Sequence, residues 1–425
     1  MAASNFPGPD SIRRHVFDNG ITVLVYENMD SGTVSIEGVV WAGAGNETRA
    51  NAGLANFTAD LLMRGTHKRS FDEIFEELES AGAGVSFGGS QHTSGFSGHS
   101  LVEDFDLVLD IIDESLRRPT FPAEQIERLR GQVVTGLQMR ANNTRRMAWL
   151  AYYEMAYKGH PYGQSAGGYL DSIGNITRAD IVDFYDRYYG PKDMIIGVAG
   201  AITADEALRK LESVFGKWRN DRQQITDLSP DVSRPLGLQR CHVPMLEKHQ
   251  ADIVLGLPGP RRAAPEYLDA SVMNTILGVF GMMGRIGQNV REEQSLAYYA
   301  SSRLEGGLGP GSWAASAGVA PDKVEQAIES IRHEIRRIID EPVPAEELAD
   351  SLAYRTGSLP MSLETNSGLV DMITGMELYG LGLDYLQQYQ EEINAITAER
   401  VQNAARKYLS ADDLVIAVSG PVEAL

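Results

Sequence analysis

The chain has one cysteine, Cys241, in 425 residues. That count excludes an intrachain disulfide, and it excludes thiolate-rich zinc knuckles and iron–sulfur ligation from this chain alone. A lone thiol of this kind is expected to be buried and inert. Positive charge is also scarce: 38 Lys and Arg against 58 Asp and Glu leave a formal charge of -20. Such a surface repels phosphate backbones and anionic lipid, which argues against nucleic-acid and membrane partners. Long apolar runs are missing as well, since no segment approaches the ~18 residues of a membrane span. The first ten residues lack a basic region followed by an apolar stretch. A cytoplasmic location is therefore expected, or a periplasmic one if a signal peptide has been removed.

What is present describes a globular protein, with 43% hydrophobic and 23% charged residues. At roughly 150 residues per domain, two or three domains are expected. The sequence repeats itself. Ile176 through Gly200 aligns without gaps to Ile396 through Gly420, matching Tyr188 with Tyr408, Asp193 with Asp413, Ile196 with Ile416 and Gly200 with Gly420. Each copy reads as a Thr-capped helix, a short polar turn and a β-branched strand ending in Gly. Pro122-Ala123-Glu124 and Pro344-Ala345-Glu346, nearly the same distance apart, each open a further helix.

Each half opens with strands, at 21–27 and 34–41 in the first and 251–257 in the second, then turns to helices and returns to a strand. That order predicts two related α+β domains, each a mainly antiparallel sheet with helices on one face. Ser70 and Glu73 form a capping box, and Phe71, Ile74, Phe75 and Leu78 follow at helical spacing until Gly82. The polar stretch 221–240, with two prolines, reads as a linker between domains at 1–220 and 241–425.

The segment Gly53-Leu54-Ala55-Asn56-Phe57-Thr58-Ala59-Asp60, followed by Arg64-Gly65-Thr66, resembles the signature of the pitrilysin-like (M16) metallopeptidases. In that family Gly-Leu-Ala precedes His-x-x-Glu-His. Two histidines four apart on one helix face hold zinc, and the glutamate activates its water. The resemblance places Asn56 and Asp60 at the two histidine positions, Ala59 at the base and Gly136 at the third ligand, usually a glutamate. One amide and one carboxylate make a poor transition-metal site, so two polar residues on a helix face is the preferred reading. At the family's substrate-pairing edge strand, Gly82-Ala83-Gly84-Val85-Ser86-Phe87-Gly88-Gly89 keeps the glycines and loses Asn-Ala and Thr.

The second half keeps more of the pattern. Leu277 through Ile286, continuing to Arg291-Glu292-Glu293-Gln294-Ser295-Leu296-Ala297-Tyr298, resembles the family's Gly-rich turn and its Arg-Glu-x-x-Gly-Leu-Ala-Tyr. The resemblance implies that Arg291 and Tyr298 reach a zinc site, bind substrate and stabilise a developing oxyanion by donating hydrogen bonds. The plain alternative is an Arg paired with Glu293 and a Tyr packed at a strand start. The histidine pairs His92/His99 and His242/His249 lack a known ligand spacing and read as surface or capping residues. Tyr152, Tyr153, Tyr157 and Tyr162 read as core or a partner interface rather than a base-stacking platform.

The resemblance covers nearly the whole chain. It implies a non-catalytic subunit of a heterodimeric zinc endopeptidase that supplies Arg291 and Tyr298 in trans, while a homologous sister chain carries the zinc. The substrate would be a peptide or unfolded protein, and no cofactor belongs to this chain itself. The alternative is a proteolytically inactive scaffold or peptide-binding protein of the same fold.

Overall fold

The computed structural model describes residues 6–226 and 230–421. The first half contains strands β1 (Ile12–Val16), β2 (Thr22–Glu27) and β3 (Thr33–Val40), then helices α1 (Leu54–Leu61) and α2 (Phe71–Ser80). Strands β4 (Gly84–Gly89) and β5 (Ser94–Leu101) lead to α3 (Phe105–Arg117), α4 (Ala123–Ala141), α5 (Thr144–Ala156), α6 (Leu170–Asn175) and α7 (Arg178–Tyr188). Strand β6 (Ile195–Gly200) and α8 (Ala204–Phe215) close this half. The second half runs through β7 (Gln239–Pro244), β8 (Ala251–Pro258), α9 (Tyr267–Gly278), α10 (Phe280–Gly287), β9 (Ala297–Glu305) and β10 (Ser312–Val319). It ends with α11 (Val324–Asp340), α12 (Ala345–Ser362), α13 (Asn366–Leu378), α14 (Tyr385–Asn394), α15 (Ala398–Tyr408) and β11 (Val415–Gly420).

The duplication is visible in the sheets. One sheet runs β1-β2-β6-β3-β5-β4 and the other β7-β11-β8-β10-β9. Apart from the extra β1, the two orders superpose, down to a single parallel pair: β2 with β6, and β7 with β11. All other neighbours are antiparallel. The helix-and-strand repeat seen in the sequence is α7–β6 and α15–β11, with Thr177 and Thr397 as N-caps. Ser70 and Glu73 form the capping box of α2. The stretch 221–240 includes the start of β7, and residues 227–229 of it lie outside the described ones.

Two compact units follow, and they are discontinuous in sequence. Of the described residues, the first contains 6–136, 165–226 and 360–388, and the second 137–164, 230–359 and 389–421. The division falls inside α4, between Gly136 and Leu137, and inside α12, between Leu359 and Pro360. As a result α5, encoded in the first half, packs on β8 and β11, while its counterpart α13 packs on β6 and β3.

This exchange gives each sheet a covering on both faces. In the first unit a Cβ at Gly98 of β5 would meet Val108 and Ile112 of α3, whereas one at Gly197 of β6 would meet Val370 and Thr374 of α13. Strand register puts Gly98 and Gly197 on opposite faces. In the second unit Val254, Ala314, Val415 and Ala417 form a buried cluster with Ala148, Tyr152, Ala156 and Tyr157 of α5. Ile253, Leu255 and Leu257 are fully buried on the other face of β8. Strands β6, β8, β10 and β11 are therefore buried along their whole length, which explains why they read as continuous apolar and small-residue runs.

Candidate functional site

Helix α1 begins at Gly53, whose φ of 98° lies in the left-handed region. A Cβ there would sit 2.7 Å from Ile173 Cδ1, so backbone angle and space both require glycine. Gly53 offers no side chain to cap the helix. Glu47 does that work from six residues upstream, accepting from the Gly53 N–H at 2.8 Å and from the Ala55 N–H. Its position at the positive end of α1 suits a carboxylate, although burial pushes its pKa up to about 8. The sequence reading did not single out Glu47. The available signal was an acidic residue shortly before a helix that has no Ser, Thr, Asp or Asn at its N-cap.

Asn56 and Asp60, four apart, lie one turn from each other on α1, with Ala59 fully buried beside them. Asn56 faces the end of strand β4: a Cβ at Gly89 would lie 2.3 Å from its Oδ1, and that buried oxygen has no hydrogen-bond partner. Asp60 is exposed, yet its surroundings raise its pKa by desolvation, opposed by the charge of Arg64. Arg64 in turn donates to Gln132 of α4 at 2.7 Å. Gly136 is one turn beyond Gln132, exposed, and a Cβ at that position would meet nothing within 4 Å. Strand β4 is the edge of its sheet. Asn56 of α1 thus lies against the end of β4, and Arg64, just beyond α1, reaches α4 at Gln132.

These residues do not fit zinc. An amide, a carboxylate and a bare glycine supply one strong donor where a zinc site needs at least three. Among the described residues no group of three or more His, Cys, Asp or Glu side chains is placed to hold a metal ion.

The corresponding corner of the second unit is built differently. After α9 the chain passes through Gly281, Met283 and Gly284 at φ values of 60°, 76° and 66°. A Cβ on Gly284 would lie 2.5 Å from the Gly278 nitrogen, so this turn depends on glycine. A π-helical turn, Gln288–Glu293, then presents Arg291. The Ser295 N–H donates to the Arg291 carbonyl at 3.1 Å and the Leu296 N–H to the Val290 carbonyl at 2.9 Å. Those bonds tie the start of β9, and with it Tyr298, to the turn that carries Arg291. Tyr298 is 86% exposed rather than packed at the strand start. Arg291 pairs with the adjacent Glu292 at 3.3 Å, not with Glu293.

The remaining marked residues are structural. Tyr152 and Tyr157 are buried, and the Tyr152 hydroxyl lies 2.9 Å from Ser312 Oγ. The aromatic cluster is thus part of the core of the second unit. Cys241 is half-buried with Sγ 3.7 Å from the Ala151 carbonyl, and burial pushes its thiol up to about 11, a poor nucleophile. His99 and His249 are exposed, while His92 is buried. No helix among the described residues is long and apolar enough to cross a membrane.

Residues 22–168 match the family model of insulinase (peptidase family M16), and residues 175–353 match that of the peptidase M16 inactive domain. The chain belongs to peptidase family M16. An uncharacterized zinc protease of Bacillus subtilis is 25% identical over 96% of this M16 chain and 98% of its own. One from Streptomyces coelicolor is 24% identical over 95% and 88%. Among solved structures, a peptidase M16 inactive domain from Pseudomonas fluorescens has a TM-score of 0.87 at 24% identity, covering 97% of this chain and 99% of its own. A protease from Helicobacter pylori has a TM-score of 0.90 at 18% identity, covering 97% and 100%. Both share the fold described above.

Proposed function

We propose that this M16 chain is the non-catalytic subunit of a two-chain zinc endopeptidase. It supplies Arg291 and Tyr298 in trans, and a homologous sister chain carries the zinc and the general base. The observation that carries this reading is the contrast between the two corners. The α1–α4 positions hold no ligand set, whereas Tyr298 stands 86% exposed at the start of β9, which backbone hydrogen bonds tie to the turn of a weakly held Arg291. An exposed ion pair is worth only about 0–1 kcal/mol, so Arg291 can leave Glu292 for a substrate or oxyanion at little cost. A guanidinium and a phenol hydroxyl both donate toward negative charge, as the tetrahedral intermediate of peptide hydrolysis demands.

The test is to mix the purified chain with a sister of similar length bearing His-x-x-Glu-His and to follow cleavage of an unstructured peptide. Arg291→Ala and Tyr298→Phe should each lower the partner-dependent kcat by about 100- to 1,000-fold, the range for losing one oxyanion donor, with unchanged thermal unfolding. Rates equal to those of the unsubstituted chain would sink the trans contribution and leave a proteolytically inactive scaffold.

A further inference from the structure

Tyr298 owes its exposure to one extra residue. In the pairing of β9 with β10, Ala297 stands opposite Val319 and Tyr299 opposite Gly318, so Tyr298 has no partner of its own and is the bulged residue. Further along β9, Ala300 and Ser302 are buried, and the Ser302 hydroxyl donates to Asn274 of α9 at 2.7 Å. Unbroken alternation would send Tyr298 to that same face. The bulge turns it out instead, and it is 86% exposed.

The residue after the bulge is held firmly. Tyr299 lies in a lateral row with Gly318 of β10 and Asp252 of β8. Two strand spacings, about 10 Å, separate β9 from β8. The Tyr299 ring crosses over Gly318, and its hydroxyl donates to Oδ1 of Asp252, which is 1% exposed. A Cβ on Gly318 would lie 2.6 Å from Tyr299 Cε1, so only glycine leaves this crossing open. Burial and then the Asp252 hydrogen bond raise the Tyr299 pKa, which keeps the hydroxyl a donor. Asp252 also accepts from Thr144 Oγ1 and from Gln250 Nε2, the latter at 3.2 Å. The Arg145 guanidinium lies 4.3 Å from the centre of the Tyr299 ring. Thr144 and Arg145 are the first two residues of α5, so the helix encoded in the first half closes this cluster. On the other side of the bulge, the backbone bonds from Ser295 and Leu296 tie the strand to the Arg291 turn.

We propose that Asp252 and Tyr299 are positioning residues for Tyr298: the bond between them fixes the bulge, and the bulge aims the phenol. The catalytic consequence rests on the trans donation proposed above, whereas the geometric one does not.

Fluorine NMR of the full chain carrying 3-fluorotyrosine at position 298 reads the aim of the phenol, and partner-dependent cleavage reads its use. The unsubstituted chain should give one resonance with the full H2O-to-D2O solvent shift of an exposed ring. Tyr299→Phe, which keeps the ring and removes only the hydroxyl, should add a second resonance or reduce that solvent shift while a cooperative melt remains. Gly318→Ala, which blocks the crossing, should do the same. With the zinc-bearing sister, Tyr299→Phe should lower kcat by about ten- to a hundredfold and change KM by less than about twofold. In a Tyr298→Phe background the same change should cost nothing further, because no hydroxyl is left to aim. A single resonance with its full solvent shift in Tyr299→Phe would overturn the proposal. An equal kcat loss from Tyr299→Phe with and without the Tyr298 hydroxyl would overturn it too. If Tyr298→Phe alone leaves the rate unchanged, the trans donation fails and the fluorine spectrum still decides the positioning.

Discussion

Three side chains, at positions 56, 60 and 136, decide whether the α1–α4 corner can hold a metal. Asp60 and Gly136 are exposed, and Gly136 has open space where a side chain would go. A glutamate there meets no steric barrier and replaces a residue that costs a helix interior about 0.8–1 kcal/mol. Asn56 already points a buried, unpartnered oxygen into the corner. The triple variant Asn56→His/Asp60→His/Gly136→Glu is therefore expected to retain about one zinc per chain after gel filtration, read by elemental analysis. It should remain proteolytically silent, because Ala59 supplies no base. Zinc no higher than in the unsubstituted protein would show that α1 and α4 do not approach in the way that ligation needs.

At the scale of elements, the exchanged helix α5 is held by its aromatic face, and that hold can be weighed. Tyr152 is fully buried and packs edge-on to Trp149 and Tyr153, with its hydroxyl on Ser312. Tyr152→Phe removes one buried hydrogen bond and is expected to cost about 1 kcal/mol, and it leaves the Ser312 hydroxyl to be rescued by water. Tyr152→Ala opens a cavity and should cost about 3–5 kcal/mol, measured by urea unfolding. A loss below 1 kcal/mol for the alanine variant would mean that α5 contributes little to the second unit. Elements of this kind also show where the sequence was readable. Thr177 and Thr397 cap their helices, Ser70 and Glu73 close a box, and β-branched runs become strands, because these signals are local. The destination of α5 and α13 is not local. Neither helix carries a residue that names its partner sheet, so the plain expectation was one covered face per sheet. The signal lay in the strands: Ile195–Gly200 and Val415–Gly420 lack the polar alternation of a half-exposed strand, which is what burial on two faces requires. At the candidate site, positions 56, 59, 60 and 136 were marked by the family resemblance. Glu47 was not, since it acts across a contact that only the fold creates.

For the whole molecule, the exchange means that a cut at the middle of the sequence divides neither unit cleanly. A fragment of residues 1–220 contains every strand of the first sheet but not α13, so Ala199 and its neighbours lose the cover of Leu369 and Val370. A fragment of residues 241–425 keeps the second sheet apart from the first two residues of β7 but lacks α5, baring Val254, Ala314, Val415 and Ala417. Apolar patches opened on a central sheet face favour association over a stable monomer, and the net charge of -20 on the intact chain does little to mask a local patch of this kind. Each fragment expressed alone is therefore expected to bind a hydrophobic dye and to aggregate or unfold without a cooperative transition. Refolded together, each supplies the helix that the other lacks, and the pair should form a soluble one-to-one complex with a cooperative melt, read by light scattering and circular dichroism. Two fragments that are separately monomeric and melt cooperatively would show that each sheet is stable without its exchanged helix, and that α5 and α13 are accessory to the fold.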